Sequence, residues 1–120
     1  MRRLIETLDR LYPGSPAIVG GDLNTKALPL DPSLWLTQPE ADEPLFALLR
    51  AAGFDWLPSN DAQATLRTLP DGKPLPPFRR IDWLFTRGVQ ASHPRTIEAV
   101  DSERRAISDH EMIAVDISWR

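Results

Sequence analysis

Ala17-Ile18-Val19-Gly20-Gly21-Asp22-Leu23-Asn24-Thr25 is an apolar run that breaks on two glycines and then delivers a carboxylate and a carboxamide two residues apart. Its first three residues predict a short strand buried on both faces. Gly20-Gly21 lets the backbone turn sharply as it leaves the sheet. Asp22 and Asn24 then stand at the strand's carboxyl end, where both can be aimed into one cleft. The pair also has a plainer reading, because Asp and Asn after strands commonly satisfy local backbone donors.

Residues 2–12 set Leu4, Ile5, Leu8 and Leu11 on one stripe at helical spacing, and Tyr12-Pro13-Gly14 ends the run. From Leu28 to Pro44 the chain holds four prolines, which predicts an ordered loop with a short turn near residues 33–36. A second helix follows, capped by Asp42, tolerant of Pro44 in its first turn, buried along Leu45, Leu48, Leu49 and Ala52, and stopped by Gly53. Five further prolines and Asp71-Gly72 between residues 58 and 79 predict a long surface loop around Thr65. Ile81 to Thr86 alternates as a strand, with Asp82 on the face opposite Trp83 and Phe85 and with both faces largely covered. A weaker strand is expected over Thr96–Val100. The last strand places Ile113, Val115, Ile117 and Trp119 on one face. Ser108-Asp109-His110 is the turn that leads into it, and nothing divides residues 1–120 into two domains.

With 120 residues, 42% of them hydrophobic, and a formal charge of −3, the chain reads as one globular unit without a basic field for nonspecific duplex binding. No apolar run reaches the roughly 18 residues of a membrane span, and the start turns polar again at Glu6. A cytoplasmic location is the expectation. Cysteine is absent, so a metal would be held by oxygen or imidazole, and oxygen ligands favour Mg2+ or Mn2+.

Asp82 and His110 are the other residues with chemical promise. A carboxylate in a strand flanked by Ile81, Trp83, Leu84 and Phe85 needs a partner, since burying it alone costs several kcal/mol, on the order of a lost ion pair. Arg79 or Arg80 could supply one. His110 is the better candidate, because a carboxylate from a neighbouring strand fixes an imidazole's tautomer and stabilises its charged form. His beside Asp is also a common surface or capping pair. His93, before a proline in a polar turn, reads as a solvated loop residue. The four tryptophans are scattered and read as core rather than as stacking platforms. Arg67, Lys73, Arg79 and Arg80 could meet a phosphate, but such charges are mostly solvated.

Gly21-Asp22-Leu23-Asn24, Thr65, Ile81-Asp82-Trp83 and Ser108-Asp109-His110 appear in an order that resembles the carboxyl-terminal half of the endonuclease/exonuclease/phosphatase superfamily (DNase I-like). Three weak motifs in the right order make a strong signal. The resemblance implies an α/β (α+β) fold, a four-layer α/β/β/α sandwich represented by roughly its carboxyl-terminal half, and metal-dependent hydrolysis of a phosphoester. It makes Asp22 the group that orients or deprotonates the attacking water, Asn24 a partner of water or phosphate, and Asp109 a ligand of Mg2+ or Mn2+. His110, braced by Asp82, would contact the scissile phosphate, with Thr65 in minor support. It also implies an early Asn, a metal-binding Glu and a second His from an amino-terminal half that would lie before Met1. The expected partners are a phosphoester substrate, nucleic acid included, and that half or a complementary chain. Two other readings stand beside this one. The chain is a catalytically inactive remnant or interaction module that retains the scaffold, or a complete small α/β binding domain.

Overall fold

A computed structural model describes residues 1–41, 43–68 and 74–119, with backbone only for Thr68 and residues 74–78. The chain runs α1 (Arg2–Leu11), β1 (Ala17–Asp22), α2 (Pro44–Ala51), β2 (Leu66–Thr68), β3 (Pro74–Arg79), β4 (Asp82–Arg87), β5 (Val89–Ile97) and β6 (Met112–Trp119), with three short 3-10 turns between β1 and β2. The strands form three antiparallel ladders, β1 with β4, β2 with β3, and β5 with β6. The architecture is α+β. Among the described residues no helix is long and apolar enough to cross a membrane.

The core lies under one face of the β1–β4 ladder. Trp83 and Phe85 project from β4 onto Phe46 and Leu49 of α2, with Phe54 and Trp56 closing the space from the following turn and Trp35 joining from the loop. Phe46 meets Trp56 and Trp83 edge to face, with ring centroids 5.0 and 4.8 Å apart, a geometry that adds about 0.5–1.5 kcal/mol per pair beyond area burial. Phe46 was absent from the stripe read along the second helix, yet it is fully buried, while Leu45 and Leu48 are only half-buried. Asp42, the expected cap of that helix, lies outside the described residues. Glu43 occupies the N-cap position and turns its carboxylate toward the backbone N–H groups of Lys26 and Ala27.

Several expectations are corrected. Residues 58–79 are not a surface loop, because β2 and β3 form a hairpin within them and Thr65 is completely buried. Proline is tolerated there because β3, which carries Pro74, Pro76 and Pro77, is an edge strand. Asp71, Gly72 and Lys73 lie outside the described residues. Of the strand expected at 96–100, Thr96 and Ile97 are the end of a longer one, β5, in which Pro94 and a register shift between Ser92 and Arg95 break the alternation that would have revealed it, while Glu98 and Ala99 lie outside any strand and Val100 makes an isolated bridge to Ala106. His93 sits in that irregularity, exposed as expected, but in a strand and within 3.2 Å of the Asp116 carboxylate. In α1, Ile5 and Leu8 pack on the core whereas Leu4 and Leu11 remain exposed.

β1 is covered on one face, not both. Ala17 and Val19 pack inward, and Ile18 is exposed. A Cβ at Gly20 would stand 2.5 Å from Cδ2 of Leu84 on the paired strand and 3.3 Å from the carbonyl oxygen of Trp83, so a larger residue there would displace the leucine side chain. Gly21 has φ +142°, a conformation open to glycine, and through it the chain leaves the ladder at Asp22.

Candidate active site

The antiparallel register of β1 and β4 places Asp22, the last residue of one strand, directly opposite Asp82, the first of the other. Two carboxylates in that position repel each other unless a cation stands between them. His110 supplies it. Its Nδ1 lies 2.8 Å from Asp82 Oδ2, and its Nε2 lies 4.0 Å from Asp22 Oδ2. The first contact is a hydrogen bond, in which the imidazole donates to the carboxylate. The second is an ion-pair distance, too long for a direct hydrogen bond. Asp82 therefore fixes the ring by one nitrogen and leaves the other facing Asp22.

Burial of the His110 imidazole acts to lower its pKa, but the hydrogen bond to Asp82 and the charges of Asp82, Asp109 and Asp22 together outweigh it and hold the pKa above its ordinary value of 6.5. His110 is thus biased toward the imidazolium. That is the form suited to face a phosphate oxygen.

Each carboxylate of the pair is set by a different part of the chain. Asp22 Oδ1 accepts the backbone N–H of Asn24 at 2.8 Å, and Asn24 has φ +50°, a left-handed turn that Asn adopts readily. Oδ1 of Asp22 makes the local turn, and its Oδ2 is the oxygen that faces His110 Nε2. Asn24 itself is exposed. Thr25, next in the chain, is buried. Its hydroxyl donates to Arg80 O at 2.6 Å and accepts Trp83 Nε1–H at 3.1 Å, pinning the Asp22 turn to the start of β4.

Thr65 does the corresponding work for Asp82 and His110. Its Oγ1 accepts the N–H groups of Ile81 (3.1 Å) and Asp82 (3.2 Å), and its carbonyl accepts the N–H of Glu111 at 2.7 Å. One buried residue thereby ties the strand bearing Asp82 to the segment bearing His110. Leu66 bridges to His110, and Arg67 N–H donates to Asp109 O at 2.8 Å.

Behind Asp82 lies a buried network that the sequence reading did not find. Arg80 is 1% exposed, stacks over Trp83 with its guanidinium carbon 4.9 Å from the ring centre, and donates to Asp61 Oδ1, Gln63 O and Asn60 Oδ1. Burial lowers its pKa to about 10, against the favourable charges of Asp61 and Asp82. It remains a cation at neutral pH, but it faces the interior and is not available to a substrate phosphate. Arg67 pairs with Glu111. Both arginines belong to the framework.

Asp109 is exposed at the tip of the turn, where Ser108 Oγ accepts the N–H of His110 at 3.1 Å. Among the described residues no group of three or more His, Asp or Glu side chains converges as a metal cage. Asp22 and Asp109 both expose their carboxylates to solvent.

The structure therefore brings Asp22, Asp82 and His110 together, leaves Asn24 and Asp109 exposed, each next in sequence or nearly so to a member of that trio, and places Thr65 beneath as a buried support rather than on a loop. Asn60, Asp61 and Glu111 were missed, and Arg80, expected to be a mostly solvated charge or a partner of Asp82, is a buried framework residue instead. For Arg80 the available signal was its place between Arg79 and the strand of Asp82; for Glu111 it was a fourth polar residue directly after Ser108-Asp109-His110.

A profile of the Endonuclease/Exonuclease/phosphatase family matches residues 2–110, a span that includes Asp22, Asn24, Thr65, Asp82, Asp109 and His110. The search of curated proteins gave no match, and the search of solved structures gave none either.

Proposed function

We infer that this chain, which belongs to the endonuclease/exonuclease/phosphatase family of phosphoester hydrolases, takes part in divalent-metal-dependent hydrolysis of a phosphoester, with Asp22, Asn24, Asp82, Asp109 and His110 as its share of the catalytic apparatus. The observation that carries this reading is the imidazole of His110 held between two carboxylates, bonded to Asp82 and facing Asp22 across 4.0 Å.

In this reading the scissile phosphate lies against His110 Nε2. The imidazolium, oriented by Asp82, stabilises the negative charge that develops on the phosphoryl oxygens. Asp22, whose Oδ2 faces the same space, orients the attacking water and accepts its proton, and Asn24 holds the water or a phosphate oxygen. Asp109 is the proposed ligand of Mg2+ or Mn2+, which when bound would neutralise phosphate charge. The resemblance assigns an Asn, a metal-binding Glu and a second His to an amino-terminal half. The proposal is that a segment outside these 120 residues supplies them and that the isolated chain turns over poorly. The substrate class, nucleic acid or a smaller phosphoester, is set by loops rather than by the fold.

A second reading, a catalytically inactive scaffold or interaction module, draws support from the lack of a three-ligand group among the described residues. Hydrolysis of bis(p-nitrophenyl) phosphate separates the two. The chain is assayed in Mg2+ and in Mn2+, alone and mixed with an amino-terminal half from a family phosphoesterase. The hydrolase reading expects turnover only in the mixture, abolished by EDTA and lowered about 100-fold or more by His110→Ala. Absence of turnover in every mixture supports the inactive scaffold. Turnover indifferent to His110→Ala overturns the assignment of the site.

A further inference from the structure

Glu111 follows His110 directly and is almost fully buried, with only 1% of its side chain exposed. A carboxylate in that position must be compensated on both oxygens. It is, and by two different parts of the molecule. Oε1 accepts from Arg67 Nε, and Oε2 accepts the backbone N–H of Ala99 at 2.6 Å. Arg67 belongs to β2, and its N–H donates to Asp109 O, while Thr65 O, just before the strand, accepts from Glu111 N–H. Ala99 belongs to the segment after β5, which grips the same turn through Ile107 N–H to Ala99 O at 2.9 Å. The carboxylate of Glu111 thus links β2 on one side of residues 107–111 to the segment after β5 on the other.

This matters for the imidazole next door. His110 projects from a turn whose preceding residues, 102 to 109, are exposed, and its ring must meet Asp82 on a different ladder. Backbone bonds to β2 hold one side of the turn. On the other side, Val100 bridges to Ala106, Ile107 N–H donates to Ala99 O, and the β5–β6 ladder begins at Met112 opposite Ile97; Glu111 is the side chain that fastens the stretch between these backbone ties.

We propose that Glu111, paired with Arg67, is a positioning residue that sets the His110 imidazole against Asp82. It acts through the backbone of residues 109–111 and touches no substrate. The proposal concerns the His110 and Asp82 pair that the phosphoester reading uses, and its test is made on the chain itself without an activity assay, so the failure of either is distinguishable from that of the other.

The test is proton NMR of the 120-residue chain at pH 6, reading the downfield resonance of the His110 Nδ1–H bonded to Asp82, with urea unfolding followed by tryptophan fluorescence as the separate measure of stability. Asp82→Asn identifies the resonance. Glu111→Ala and Arg67→Ala are expected to lose it or broaden it beyond detection while the folded tryptophan emission persists, and Glu111→Gln, which can accept from one donor but not both, is expected to weaken it. Should either alanine variant fail to fold, the double variant Arg67→Met/Glu111→Leu leaves no unpaired buried charge and still lacks the clamp. Loss of the resonance in that folded double variant supports the positioning role. Retention of the resonance at its wild-type shift in any folded variant that lacks the Glu111 carboxylate overturns it, whatever happens to stability.

Discussion

The β1–β4 ladder and the β5–β6 hairpin are both antiparallel pairs, but they are held in different ways. Under β4 lie Trp83 and Phe85, both completely buried against Phe46 and Trp56. The hairpin contributes Val89 to the buried set, at its very start, and ends on Trp119, which is 71% exposed. Asp22 and Asp82 therefore stand on a rigid platform. His110 arrives from the approach to the hairpin, carried over the platform by hydrogen bonds to β2 rather than by apolar packing. A site assembled this way has two carboxylates fixed by the core and one imidazole fixed by a polar network.

Truncating the platform should have the largest effect. Trp83→Ala removes a buried indole together with its bond to Thr25, and is expected to cost about 3–5 kcal/mol in urea unfolding. A loss below 1 kcal/mol on this scale would mean that the aromatic layer is not what holds the ladder.

Next is the strut between the two regions. Thr65→Val keeps the shape and leaves the N–H groups of Ile81 and Asp82 without their acceptor, a change expected to cost about 1–3 kcal/mol. Because Thr65 also lines up Asp82, the variant should disturb the His110 imidazole resonances in NMR more than those of His93. Equal perturbation of both histidines would contradict the strut.

A smaller effect is expected from pH. His110 binds its proton more tightly in the folded chain than in the unfolded one. The stability it contributes is complete below the unfolded value of about 6.5 and is lost as pH rises through the raised folded value. Asp82→Asn removes the strongest of the contacts that raise it, so the decline in stability over that window should flatten. An unchanged pH profile in the variant would show that Asp82 does not hold the imidazolium.

The smallest effect belongs to the hairpin's end. Trp119→Ala is expected to change stability by no more than about 0.5 kcal/mol, and a thermal or urea comparison with Trp83→Ala measures the contrast between the two regions directly.

The legible parts of this molecule were those written in short, local runs. Gly21-Asp22-Leu23-Asn24, Ile81-Asp82-Trp83 and Ser108-Asp109-His110 each carry their residues to a strand end, and the alternation around Asp82 was enough to aim its carboxylate away from Trp83. The closing of the gap between Asp82 and His110, 28 residues apart, followed from the need to compensate a carboxylate in an apolar strand. Thr65 was recognised but misplaced, because the prolines that follow it argue against strands unless one knows that β3 lies at an edge. Phe46 was overlooked because the helical stripe was centred on leucines one position away. Trp119 obeys the alternation of β6, but periodicity says which face a residue shares and not whether that face is covered. The Arg80 and Glu111 networks depend on partners 12 to 44 residues distant, and no local pattern announces such pairings.

In the proposed function, Asp22 and His110, from opposite ends of the chain, act as one site in phosphoester hydrolysis. The most direct test is the metal-dependent rate on bis(p-nitrophenyl) phosphate of Asp22→Ala, His110→Ala and the double variant, each complemented as above. One site predicts that either single substitution lowers the rate by about 100-fold to 10,000-fold and that the double variant is scarcely worse than the poorer single one. Retained turnover in either single variant, or losses that multiply in the double, would contradict it.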